Sequence, residues 1–301
     1  RILEGYGPNP EAIRALAGDG AQLIVTVDCG VTSFDALEEA ARLGVDVVVL
    51  DHHQVGTALP IAKAIVNPNR HDDRSQLGHL AAVGVCFMAV VATHRLLRNE
   101  AAFADLAAHL NLMNLLDLVA LGTVCDVVPL QTLNRAFVMR GLVAMRAMGN
   151  AGLAALMRVA GVAGPVDAYH LGFLLGPRIN AGGRIGDAGL GARLLTMDNP
   201  YEAESVAERL DVLNSERQAI EKTMLEEADA QAFAEAGVKD EGGPAVLITS
   251  SSDWHPGVLG IVAARLKERY RRPAFALAFD ASGKGTGSGR SIAGVDLGRV
   301  V

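Results

Sequence analysis

Positive charge is what this chain most lacks. Its 27 Lys and Arg are set against 34 Asp and Glu, a formal charge of −7. That excludes a broad phosphate-gripping surface and confines any nucleic-acid contact to a local basic groove, or to a part of the protein outside these residues. Cysteine is sparse: Cys29, Cys86 and Cys125 are too few and too scattered for a disulfide framework, so a reducing, cytoplasmic setting is expected. No apolar run approaches the roughly 20 residues of a membrane span, and no signal-peptide pattern opens the chain. Aromatic residues make up only 4 %, and the bulk is Ala, Val, Leu and Gly, which suits an α/β protein. There is no internal repeat. There is no initiator Met, and the chain stops shortly after Asp296-Leu297, so a fragment of a longer protein is expected.

What is present alternates short apolar strands with helices. Residues 45–50 (VDVVVL) are almost wholly apolar and β-branched, as in a strand buried on both faces of a parallel sheet. Residues 23–27 repeat the pattern and end in Asp28. Helices are expected over 10–17 and 34–43, with a short extended piece at 64–66 ending in Asn67-Pro68-Asn69. This βαβ order predicts a doubly wound, mostly parallel sheet. Helices follow at 81–97, 106–124 and 134–148. A long helix is expected over 201–235, begun by Asn199-Pro200 and closed by Gly237, unless it breaks near Asn214-Ser215. A second α/β unit then has strands at 245–249 and 274–279, a helix at 257–270 and a Gly-rich loop at 283–290. The expected domains are 1–196, a connecting helix 197–237, and a smaller domain 238–301.

The chemistry gathers at strand ends. Asp51-His52-His53 follows the first buried strand and Asp28 the second, at the C-terminal edge where open α/β sheets place ligands. Each Asp alone could be a helix cap. No Gly-x-Gly-x-x-Gly turn precedes Asp28, so a ribose-binding role lacks its partner motif. Adjacent histidines behind a buried strand are costly without a partner, and imidazole with carboxylate suits Mn²⁺ or a similar ion. Asp126 ends the apolar run LGTVCD. It is paired or metal-bound if buried, and a solvent-facing helix-end Asp fits the residues equally well.

Three further groups suit anions. The run 176–186 (GPRINAGGRIG) offers Arg178 and Arg184 among glycines, although an ordinary Gly-rich connection reads the same way. Trp254-His255-Pro256-Gly257 opens a helix, and Ser288-Gly289-Arg290-Ser291 lies in the late loop. Trp254, the single Trp, could stack on a base; packing is the better expectation. The late glycines do not match P-loop spacing, which excludes an NTPase.

Thr26-Val27-Asp28-Cys29-Gly30, Asp51-His52-His53 and Asp126 resemble motifs of the DHH phosphoesterase superfamily. The run 176–184, the stretch 254–263 (WHPGVLGIVA) and residues 287–291 resemble its RecJ-like branch, the single-strand-specific exonucleases. The resemblance covers essentially the whole chain. It implies a DHH domain and a smaller DHHA1 domain joined by a long helix, and a 5′→3′ exonuclease acting on single-stranded DNA with two Mn²⁺ or Mg²⁺ ions in repair and recombination. Asp28, His52 and Asp126 would be metal ligands, Asp51 a ligand or orienter, and His53 would face the scissile phosphate. Arg178 or Arg184, His255, Ser288 and Arg290 would hold DNA phosphates. A single-strand-binding protein and a helicase are implied partners. The family's first Asp-rich motif and its OB domain are not among these residues, so impaired nuclease activity is expected. The competing readings are a DHH/DHHA1 phosphodiesterase for short oligoribonucleotides or cyclic dinucleotides, and a non-catalytic replication scaffold.

Overall fold

The computed structural model describes residues 7–236 and 243–297, in two compact units. One unit runs to Gly176 and takes in Met197–Glu204. The other comprises Pro177–Thr196 and the chain from Ser205 onward.

In the first unit, α1 (Pro10–Gly18) begins where Asn9 Oδ1 accepts the Ala12 N–H at 2.8 Å, with Pro10 in the first turn, where its missing N–H costs nothing. Next come β1 (Leu23–Val27), α2 (Phe34–Arg42), β2 (Asp46–Leu50) and β3 (Ala64–Val66). The strands form one parallel sheet in the order β1-β2-β3, with Val25 opposite Val48 and Val48 opposite Ala64. Ile13 of α1 and Ala36, Leu37 and Ala40 of α2 bury Val47 and Val49 of the central strand. β1 departs from the two-sided burial its composition suggests. Among the described residues it lies at the sheet's edge, and Leu23, Val25 and Val27 alternate outward at 50–56 % exposure while Thr26 is buried.

The rest of this unit is helical: α3 (Ala82–Leu97), α4 (Ala104–His109), α5 (Leu116–Cys125), α6 (Thr132–Met145) and α7 (Ala151–Val159). The single helix expected over 106–124 is in fact α4, a 3₁₀ turn at Leu112–Leu115, and α5. Asn111 makes the break, because its side chain accepts the Met113 N–H at 3.1 Å and offers the backbone an alternative to the helix. Gly141 brings α6 against α5; a Cβ there would lie 2.1 Å from the Leu116 carbonyl oxygen. A π-helix, His170–Leu175, runs into α8 (Gly176–Ile185). The Gly-rich run 176–186 is thus mostly helix, not an irregular connection.

The second unit contains most of α8, α9 (Leu190–Leu195) and nearly all of α10 (Pro200–Ala236). α10 is unbroken at 37 residues, roughly 55 Å. Asn214 does not interrupt it, because its Oδ1 is taken by the Arg217 side chain at 3.1 and 3.3 Å. Gly237, expected to close this helix, lies outside the described residues. β4 (Leu247–Ser251), α11 (Leu259–Tyr270), β5 (Ala274–Phe279) and β6 (Gly285–Arg290) complete the unit. β4 runs parallel to β5 and β6 antiparallel to it. Ala274, Ala276 and Ala278 of β5, Leu259, Val262, Ala263 and Leu266 of α11, and Met224, Ala228 and Ala232 of α10 form one core. Trp254 packs into it and donates its Nε1–H to Glu227 at 2.8 Å. The late glycine run is a strand, not the expected loop. A Cβ on Gly287 or Gly289 would strike Leu277 or Phe275 of β5 at 2.3 and 2.6 Å, so only glycine lets those side chains lie across β6.

Candidate metal centre

Where β1 ends, Asp28 adopts φ 60, a left-handed conformation that Asp tolerates better than most residues. Gly30 follows at φ 115, where a Cβ would lie 2.6 Å from the Thr26 hydroxyl. The tight turn brings the Val31 N–H back to Asp51, which it reaches at 3.1 Å. Asp51 is only 1 % exposed. Its Oδ2 accepts from Val31, and its Oδ1 accepts from the N–H groups of His52 at 2.7 Å and His53 at 3.2 Å and from His53 Nδ1 at 2.7 Å. Burial pushes this carboxyl up, but the His53 side chain and the three backbone donors outweigh it and hold Asp51 below the usual carboxylate range. Asp51 thus ties the Val31 turn to the His52 backbone and to the His53 backbone and ring.

His52 Nδ1 lies 2.9 Å from the Leu80 carbonyl. A carbonyl only accepts, so Nδ1 carries the proton and Nε2 of the neutral ring offers a lone pair. That Nε2 sits 3.3 Å from Asp28 Oδ1 and 3.5 Å from Asp126 Oδ2. Three acceptors therefore converge, which a neutral imidazole cannot sustain without a proton or a cation between them. The ring answers by taking up a proton more readily. Its bond with Asp28, helped by the Asp126 charge, lifts its pKa above the ordinary histidine value. Burial raises the Asp126 carboxyl in turn, with Asp28 adding to it and His52 opposing.

Asp126 is the C-cap of α5, and Val127 behind it takes φ 59, a conformation rare for a β-branched residue. The residues alone leave Asp126 between ligand and solvent-facing cap; the structure sets it against His52. His53, with Nδ1 tied to Asp51, is about half exposed, and donor atoms of Asp28, His52 and His53 all lie within 4.8 Å of one another. The 3.3 and 3.5 Å separations of His52 Nε2 from Asp28 and Asp126 are close to the roughly 3 Å between neighbouring ligands of an octahedral oxygen-and-nitrogen cation with bonds of about 2.1 Å. The donor set fits a divalent ion of the manganese or magnesium kind.

Supporting residues went unremarked in the sequence. Asn69 donates to the carbonyls of His52 at 2.5 Å and Gly78 at 3.2 Å, and Asn67 donates to that of His53 at 2.9 Å. The Asn-Pro-Asn at the end of β3 was a visible signal, a pair of turn-forming amides at a third strand's C-terminal end. The Leu80 carbonyl had no such signal. Burial lifts the Cys125 thiol to about 11 and raises Cys29 as well, so neither is a ready nucleophile.

In the second unit the anion-binding candidates meet at the start of α11. Arg184 donates to the Gly257 carbonyl at 3.1 Å, and His255 Nδ1 accepts the Gly257 N–H at 3.1 Å. Arg290 donates to Ser288 Oγ at 3.0 Å, and both side chains crowd Gly260, where a Cβ would lie 2.9 Å from the guanidinium and 3.2 Å from the hydroxyl. Arg178 is elsewhere, its Nε bound to Asp211 of α10 at 2.8 Å.

Residues 2–123 match the DHH family, N-terminal domain, and residues 243–301 match the DHHA1 domain. The chain is 44 % identical to the single-stranded-DNA-specific exonuclease RecJ of Escherichia coli over 99 % of its own length and 52 % of that protein's. It thus spans about half the length of the curated relatives it matches. A crystal structure of exonuclease RecJ bound to manganese superimposes with a TM-score of 0.81 at 34 % identity, covering 99 % of this chain and 70 % of that one. RecJ from Thermus thermophilus in complex with Mn²⁺ gives 0.79 at 33 % identity, over 96 % and 40 %. Its Mg²⁺ complex gives 0.65 at 29 % over the same shares. With strand-end ligands, domain matches and superposition in agreement, the chain belongs to the RecJ family of DHH phosphoesterases.

Proposed function

We propose that this chain carries the phosphodiesterase centre of a single-stranded-DNA exonuclease that works with Mn²⁺ or Mg²⁺. The observation that carries the reading is the convergence of Asp28, the His52 Nε2 lone pair and Asp126, three acceptors whose mutual repulsion a divalent cation would relieve. When bound, such an ion supplies Lewis-acid charge and lowers the pKa of a water molecule to make a nucleophile at neutral pH. Asp28, His52 and Asp126 would hold it, with the Leu80 carbonyl orienting the His52 ring and Asp51 the His53 ring. His53, fixed at Nδ1 by Asp51, would face the scissile phosphate with Nε2. The Arg184, His255, Ser288 and Arg290 cluster grips a backbone phosphate, with guanidinium and helix N-terminus acting together.

The relatives' names and the metal-bound structures support this reading. From the family likeness we extend it to 5′→3′ digestion in DNA repair and recombination, in the cytoplasm, beside a single-strand-binding protein and a helicase. Among the described residues only Asp28, His52, His53 and Asp126 offer donors to the centre, fewer than two octahedral ions require. We therefore expect this chain to bind its cation weakly and turn over slowly.

The test is a Mn²⁺ titration of 5′-labelled single-stranded DNA with the chain in excess, alongside duplex DNA and a short oligoribonucleotide. Slow, Mn²⁺-dependent loss of single strands that vanishes in His52→Ala is expected. Cleavage that persists in His52→Ala, or a preference for the short RNA, would overturn the assignment.

A further inference from the structure

Asn134, in the first turn of α6, is fully buried and takes no direct part in the centre described above. Its Nδ2 donates to two backbone carbonyls, His79 at 2.6 Å and Pro129 at 3.0 Å. That fixes the amide's orientation, since the reverse would set its oxygen against both carbonyls. The price is an enclosed Oδ1 with no partner. A buried acceptor left unpaired is destabilising, so the two bonds made by the same amide need a reason.

The reason lies in what those carbonyls neighbour. His79 precedes Leu80, whose carbonyl receives the His52 Nδ1 proton and aims Nε2 at the carboxylates. Pro129 lies three residues beyond Asp126, on the loop leaving α5. One amide thus pins the segment that orients His52 to the segment that presents Asp126. The loop needs holding, because Val127 and Thr132, both β-branched, have φ 59 and φ 42. Thr132 Oγ1 and His79 Nε2, 2.6 Å apart, make a second tie between the same two segments.

We propose that Asn134 is a positioning residue: by holding the His79 and Pro129 carbonyls it sets the angle of the Leu80 carbonyl to His52 and the place of the Asp126 carboxylate. The inference rests on the metal-centre reading.

The test compares wild type with Asn134→Leu, which fills the volume, removes both donors and also removes the orphaned oxygen. Three quantities are read: melting temperature, Mn²⁺ affinity by calorimetric titration, and the exchange-protected His52 Nδ1–H resonance of metal-free protein. Loss of the resonance and a roughly 10- to 100-fold weaker Mn²⁺ affinity are expected, as for other groups that orient ligands. Leu156→Ala, a buried change in α7, should lower the melting temperature at least as much and leave both other readouts alone. The proposal fails if Asn134→Leu keeps the resonance and binds Mn²⁺ within about twofold of wild type. It also fails if Leu156→Ala weakens binding equally. If wild type itself holds no Mn²⁺, the metal reading falls and the resonance alone decides on Asn134. Should Asn134→Leu not fold, Asn134→Ala, which removes both donors and adds neither bulk nor charge, is read in the same way.

Discussion

Gly141 sets the spacing on which Asp126 depends, and Gly141→Ala measures it. The added Cβ would sit 2.1 Å from the Leu116 carbonyl oxygen and 2.4 Å from the Ala120 Cβ. Ordinary contact begins at 3.4 Å, so the shortfall is 3.4 − 2.1 = 1.3 Å. The obstacle is helix backbone, which cannot swing aside as a side chain can, so α5 has to retreat from α6. Overpacking of this kind costs about 1–3 kcal/mol, and alanine's better helix propensity returns up to about 1 kcal/mol. A clash this deep against backbone takes the upper end of that range, so the net loss of about 2 kcal/mol lowers the melting temperature of this unit by roughly 4–8 °C. Because Asp126 caps α5, the same retreat opens its 3.5 Å approach to His52 and weakens Mn²⁺ binding. Gly183→Ala, inside α8 with nothing within 4 Å of its Cβ position, is the opposite case. It should stabilise its own unit by about 0.5–1 kcal/mol. Calorimetric melts of the two variants with and without Mn²⁺ supply the assay. A Gly141→Ala protein that melts at or above wild type, or a Gly183→Ala protein that loses as much, refutes the reasoning.

Further expectations concern the site and its surroundings. Asp51→Asn replaces one of two hydrogen-bonded acceptor oxygens with a donor facing other donors, and should weaken Mn²⁺ binding roughly 10- to 100-fold by calorimetric titration; unchanged affinity would remove Asp51 from the positioning role. Mn²⁺ at about 100 times its dissociation constant should stabilise the first unit by about 2.7 kcal/mol, and His52→Ala should abolish that rise in melting temperature. Arg290→Ala should flatten the salt dependence of single-stranded DNA binding by a slope of roughly 1, without changing sequence preference. Glu39, held by hydrogen bonds from Arg42 and Arg14, has its pKa lowered from 4.5 to about 2. A depressed carboxylate contributes above its unfolded pKa and loses that contribution as pH falls toward the folded one. The stability difference between wild type and Glu39→Gln should therefore hold at about pH 6 and shrink steadily below about pH 4.5; a difference that grows on acidification has the wrong sign.

The residues differ in how much of this was legible from sequence. β2 could be read because a central parallel strand must be apolar on both faces, and Asp51-His52-His53 could be read because polar residues directly behind such a strand have few structural uses. The start of α10 could be read from Asn199-Pro200, but the break left open near Asn214-Ser215 is excluded only by the structure, where Arg217 occupies the Asn214 amide oxygen. What stayed hidden depends on partners far along the chain. β1 looks like β2 in composition, and only the structure shows that the face carrying Leu23, Val25 and Val27 is left uncovered among the described residues. Arg178 and Arg184 are alike in sequence; Asp211, 33 residues from Arg178, and Gly257, 73 residues from Arg184, separate their environments. The Leu80 carbonyl carries no side-chain signature at all, since any residue type could supply it.

The glycines of β6 act as a ruler as well as making room. Gly285, Gly287 and Gly289 pair with Phe279, Leu277 and Phe275, while Thr286, Ser288 and Arg290 pair with Ala278, Ala276 and Ala274. Large faces nothing on one side of the hairpin, and small faces polar on the other. A slip of one residue would drive Thr286 and Ser288 into the rings and turn Ser288 and Arg290 away from α11. A segment whose composition suggests looseness therefore resists any one-residue slip, and the alignment it keeps decides which way its arginine points.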